Sequence, residues 1–199
     1  MRMDRTGDKT VITFDDKGTG RECGTCTLCC KLLPVKTLGK KAGERCQHAK
    51  HNKGCAIYAR RPFDCKSWGC GWLTDPETAG LHRPDRVHYV IDVVEDFVTL
   101  APNDGSAPTH VPVIQIWIDP LFPDAKDDKH LRDYMNRMAV EHRVAFLVRS
   151  NSRDAVVIFP PALSSDGQWH EQGGMCITED SEAYRDKVRA ELVAGQERK

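Results

Sequence analysis

The sequence predicts an α+β protein in which a small cysteine-cluster module precedes an antiparallel sheet with two helices. Three observations predict it. Eight of the nine cysteines fall between Cys23 and Cys70. Strand-like apolar runs begin only after that window, at Val87. Two helical patterns then follow, over Asp127 to His142 and Glu179 to Ala194. This divides the 199 residues into an N-terminal tail with room for a short strand (residues 1–20), the cysteine module (21–76) and an α+β segment (77–199).

The tail has no apolar core of the kind that marks a secretory signal. No apolar run is long enough for a membrane span. A cytoplasmic protein is therefore expected, in a compartment that keeps thiols reduced.

The module cannot rest on a hydrophobic core. Between Asp15 and Gly54 the only large aliphatic residues are Leu28, Leu32, Leu33, Val35 and Leu38. Segments this poor in apolar surface are stapled by disulfides or metal, or stay unfolded. A thiolate-rich metal site supplies about 10 kcal/mol of folding free energy. Disulfides suit secreted chains, which the missing signal argues against. The pair Cys23-Gly24-Thr25-Cys26 resembles a dithiol redox motif, but that motif needs a long following helix, and Pro34 stops one within two turns. Metal is the reading that remains.

The candidate ligands are Cys23, Cys26, Cys29, Cys30, Cys46, Cys55, Cys65 and Cys70. Cys23, Cys26 and Cys29 follow one another at intervals of three, as in iron–sulfur proteins that add a remote fourth cysteine. Zinc modules more often show two C-x₂-C pairs, and the second pair is missing. The expected cofactor is zinc or iron, with a [4Fe-4S] cluster as the leading iron form. Neighbouring side chains diverge, so Cys29 is expected with Cys23 and Cys26, and Cys30 with a distal cysteine whose identity stays open. His48 and His51 are expected to be solvated or to act as outer partners.

Formal net charge is zero, but it is unevenly spread. From Arg21 to Trp72 eleven Lys and Arg face three Asp and Glu, a local +8; the remainder carries −8. Eight thiolates on two divalent ions would bring −4 into that same window. Basic residues here are not interleaved with stacking aromatics, so charge compensation is favoured over nucleic-acid binding.

These residues resemble the YkgJ-type cysteine-cluster family, whose CxxCxxCC domain is associated with zinc or iron chelation. The burst Cys23 to Cys30 matches the motif. The stretch Gly54-Cys55-Ala56-Ile57-Tyr58-Ala59-Arg60-Arg61-Pro62-Phe63-Asp64-Cys65 is similar to the family's second signature, and Cys65 to Cys70 has the spacing of the closing one. Lys66 stands where the family usually has Arg, and Trp68 where it has Phe or Tyr. The resemblance covers about a quarter of the chain. It implies a metal-chelating module using all eight cysteines. In some relatives the module accompanies an enzyme that modifies protein lysines, and nothing in this chain looks like such a domain.

Ala56 to Arg60 suits one helical turn, after which Pro62 biases Arg61 towards extended backbone. Arg60 or Arg61 is then expected to donate hydrogen bonds to thiolates or to exposed carbonyls, or to stand solvated on a surface turn. Leu73 to Arg86 reads as a linker or wrapping loop. Strands are expected over Val87 to Val94, Phe97 to Leu100 and Val111 to Ile118, with Ile114, Ile116 and Ile118 on one face and Pro112 marking an edge or a late start. In the helix Asp127 to His142, Leu131, Tyr134, Met135 and Met138 form one stripe. Arg143 to Arg149 and Ala155 to Phe159 read as a hairpin, and Thr178 caps the closing helix.

No nucleophile elbow, phosphate loop or His-Glu-x-x-His motif is present, so no catalytic residue is assigned. His88, His110, His130, His142 and His170 are scattered, and Cys176 stands apart as a small hydrophobe. The sequence thus points to a metalloprotein with an unknown protein partner. The alternatives are an iron–sulfur electron-transfer protein, an accessory subunit of a modifying enzyme, and a metal carrier.

Overall fold

A computed structural model describes residues 2–6, 9–13, 19–100, 107–151, 154–176 and 187. Strands β1 (Arg2–Thr6) and β2 (Lys9–Thr13) pair antiparallel. Helix α1 (Leu28–Leu32) is short because Pro34 forces Leu33 into extended backbone. Strands β3 (Ala49–Lys50) and β4 (Gly54–Cys55) form a two-rung hairpin, turned through Asn52 at φ 54°. Single turns α2 (Phe63–Lys66), α3 (Gly71–Thr74) and α4 (Pro84–Val87) lead into β5 (Tyr89–Leu100) and β6 (Thr109–Ile118). Helix α5 (Lys129–His142) and strands β7 (Ala145–Arg149), β8 (Asp154–Phe159) and β9 (His170–Cys176) complete the described chain.

The α+β class holds, but the main sheet is mixed rather than antiparallel. Its order is β5-β6-β7-β8-β9, and β6 and β7 run parallel. Parallel neighbours need a long crossover, and α5 supplies it by carrying the chain back between them. The expected strands Val87–Val94 and Phe97–Leu100 are one strand, bulged between Asp92 and Asp96. Pro112 is tolerated because β7 begins pairing only at Val113, so β6 has a free edge there. The expected hairpin forms as β7 and β8. Strand β9 has no counterpart among the expected elements: His-Glu-Gln-Gly-Gly has little β-propensity, and pairing with β8 creates the strand. The closing helix Glu179 to Ala194, with its Thr178 cap, lies outside the described residues.

The two faces of the sheet do different work. One carries Ile91, Ile114, Ile116, Ile118, Phe146 and Ile158 and is covered by the stripe Leu131, Tyr134, Met135 and Met138 of α5, all essentially buried. Asp128 caps that helix by accepting from the Leu131 N–H at 2.9 Å, and Arg143 ends it in the left-handed region. On the other face, Val90 and Trp117 pack with Leu28, Leu32, Leu33 and Cys70, which seats the cysteine module on the sheet. Polar ties fix the seating. Lys31 Nζ donates to both oxygens of buried Asp119 at 2.7 and 2.6 Å, and Trp68 Nε1 donates to buried Asp92 at 2.9 Å. Arg21 Nη1 reaches the Trp72 carbonyl at 2.5 Å and Thr78 Oγ1 at 2.9 Å.

Among the described residues no helix is long and apolar enough to cross a membrane.

Candidate metal centre

Short local structures aim the cysteines inward. Cys26 N–H donates to the Cys23 carbonyl at 2.9 Å, closing a tight loop with Gly24 at φ 51°. Helix α1 carries Cys29 and Cys30, and the Cys46 N–H ties the next loop to the Cys30 carbonyl at 2.8 Å. The β3–β4 hairpin sets Cys55 opposite Ala49, α2 holds Cys65, and Cys70 opens α3. All eight are free thiols lining one cavity of about 340 Å³.

Gly54 brings the hairpin onto the first cysteine loop. It sits at φ 79°, and a Cβ there would collide with the Gly24 carbonyl. Gly54→Ala should therefore cost more than the roughly 1 kcal/mol of left-handed strain alone. The expected result is a lower melting temperature together with metal loss, read by thermal denaturation and elemental analysis. Unchanged values of both would mean that this approach does not shape the cavity.

The cysteines fall into two neighbourhoods. Cys23, Cys26, Cys29 and Cys70 line a small void of about 10 Å³ with Trp72, Pro84 and Val90. Cys70 is thus the distal cysteine that lies beside the C-x₂-C-x₂-C run. Cys65 lies near Cys30 and Cys46, with Lys40, Arg45 and Arg61 beside Cys30. Cys55 lines the shared cavity. Among the described residues, no three Cys, His, Asp or Glu side chains already converge on one point as a ready ligand set. Metal uptake would have to displace protons and draw the sulfurs together.

Burial favours the protonated form of three of these thiols. It pushes Cys70 up to about 12 and Cys65 up to about 11, and it raises Cys26. Cys29 is raised further because it donates its proton to Cys30. Accepting that bond lowers Cys30 to about 7, with Lys40, Arg45 and Arg61 adding to the effect against burial. The surroundings nevertheless contain donors suited to thiolates. The Leu28 and Asp85 N–H groups point at Cys26 sulfur, and the Leu73 N–H at Cys70 sulfur. Arg61 lies 3.8 Å over the Tyr58 ring, and its Nε is buried with no acceptor. A soft all-sulfur donor set, backbone N–H groups at the sulfurs and an orphaned guanidinium N–H fit a zinc or iron thiolate centre.

The other candidates divide between the cavity and the rest of the molecule. His48 lines the cavity and His51 is exposed. His88 stacks on Phe122, His130 meets His82 edge-on, His110 contacts Thr99, His142 lies near Glu141 and His170 contacts Asp166. Cys176 is the last residue of β9. Of the two arginines expected at the turn, Arg61 lines the cavity and Arg60 is exposed. Lys40 had no signal in the sequence: it is buried, with its ammonium on the Leu33 and Lys41 carbonyls and near Cys46 and Cys30.

Fold and site together define an α+β protein with eight unpaired thiols around one cavity. No family model, curated protein or solved structure matches the chain.

Proposed function

We propose that this protein binds metal, zinc or iron, through its eight clustered cysteines, and that it belongs with the YkgJ-type proteins it resembles. The observation that carries the reading is the meeting of all eight thiols, none in a disulfide, on one cavity in a segment short of apolar residues. Cys23, Cys26, Cys29 and Cys70 would form one set; Cys30, Cys46 and Cys65, with Cys55 nearby, would supply the other. Bound zinc would shape the module, whereas a [4Fe-4S] cluster would add one-electron chemistry. Leu28, Asp85 and Leu73 would donate to thiolates, and Lys40, Arg45 and Arg61 would offset their charge. This reading favours the reducing cytoplasm and a role in presenting a surface to a protein partner. Elemental analysis and visible absorption of anaerobically purified protein test it. Two equivalents of colourless zinc, or a brown chromophore bleached by dithionite, are the supporting outcomes; protein folded throughout the module without metal refutes it.

The raised thiols set a pH dependence. Cys26, Cys29 and Cys70 are protonated at neutral pH, so metal must displace at least three protons at that set. Lowering the pH therefore weakens binding. Apparent affinity should fall about a thousandfold per pH unit from three displaced protons, a slope that competition with a chromophoric chelator at pH 7.5 and 6.5 measures.

A further inference from the structure

The cavity extends beyond its sulfurs. At about 340 Å³ it falls within the size range of small-molecule sites. Two metal ions take a space comparable with two waters, roughly 30 Å³. Away from the thiols the walls include the apolar side chains of Leu33, Val35, Ile57 and Trp68, which a thiolate-bound ion does not require. Two further lining rings, Tyr58 and Phe63, are 46 % and 54 % exposed, so the cavity opens to solvent beside them. Large exposed rings converging on one concavity mark a place where something binds.

Charge narrows the ligand class. Among the described residues the cavity has a single lining carboxylate, Asp64, and it is engaged by the Thr37 N–H and hydroxyl at 3.0 and 3.1 Å. Arg61 brings positive charge to the lining, its guanidinium carbon 3.8 Å over the Tyr58 ring. Such a stacked guanidinium suits a planar carboxylate. Two divalent ions on eight thiolates contribute −4, which still leaves the Arg21 to Trp72 window at +4.

We infer that this cavity binds a small organic anion, with its carboxylate at Arg61 and a planar apolar body against Phe63. The inference rests on the metal reading only in that metal occupies the sulfur end. Benzoate is the probe, titrated calorimetrically into protein whose metal content has first been measured, with benzyl alcohol as its neutral counterpart. Benzoate should bind at least tenfold more tightly than benzyl alcohol. Arg61→Gln should weaken benzoate about tenfold, and Phe63→Ala severalfold. Phe63 is half exposed, so its truncation leaves the fold intact and decides the matter should Arg61→Gln lose metal. Benzoate binding no better than benzyl alcohol, or unchanged in Phe63→Ala, overturns the inference. Protein that arrives without metal and with its cysteine module folded refutes the metal reading instead, whatever benzoate does.

Discussion

Stripping the metal with a strong chelator should release the segment from Arg21 to Thr74 while the five-stranded sheet stays folded. The reason is the unequal distribution of apolar material. The sheet and α5 share a continuous core that includes Ile91, Ile114, Ile116, Met135, Met138 and Phe146, and it needs no ligand. The module buries Leu28, Leu32, Leu33 and Val35 and is otherwise built of turns, with Gly20, Gly24, Gly39, Gly43 and Gly54 all at positive φ. Ordering that many loop residues costs about 1–2 kcal/mol each. Thiolate-bound metal contributes about 10 kcal/mol or more per site, so its loss should lower amide protection in residues 21–74 by several orders of magnitude. Hydrogen exchange read by mass spectrometry would resolve this by segment. Equal protection with and without chelator would show that the seating of Leu32 on Val90 and Trp117 holds the module alone.

What the sequence made legible follows from which interactions are local. The stripe on α5 and the alternation Ile114, Ile116, Ile118 are repeating patterns, and each lies in the core as expected. Cysteine spacing likewise marked one dense cluster, since Cys23, Cys26 and Cys29 sit on a single loop and helix start. The parallel pairing of β6 with β7 was hidden because strand direction depends on how the chain returns, which no residue in either strand encodes. Strand β9 was hidden because its pairing, not its composition, makes it a strand. The proximity of Cys70 to Cys23, Cys26 and Cys29 was undetermined for a similar reason. It depends on α3 docking beside α1 on the sheet, through contacts of Leu28 and Cys70 with Val90 and Trp117 that are far apart in the chain. Lys40 gave no sign because a lysine among lysines reads as solvated surface until the Leu33 carbonyl is seen to hold it.

Cys70→Ser should empty one metal set and spare the other. Cys70 is 8 % exposed, packed with Leu28 and Trp117, and its sulfur receives the Leu73 N–H, so serine fits the space. A serine hydroxyl, however, stays protonated where a thiol can yield its proton to metal. Sharing a site's free energy of about 10–16 kcal/mol among four ligands makes one ligand worth roughly 3 kcal/mol, or about a hundredfold in affinity. The protein should then carry one equivalent fewer after dialysis against a mild chelator. Cys65→Ser should remove an equivalent from the other set, near Cys30 and Cys46, so Cys65→Ser and Cys70→Ser together should leave almost none. Sites that share no ligand lose metal additively, whereas a single centre spread over all eight sulfurs would lose everything with either change. Cys176→Ser, at the end of β9, should change nothing, and a lost equivalent there would break the division of the cysteines.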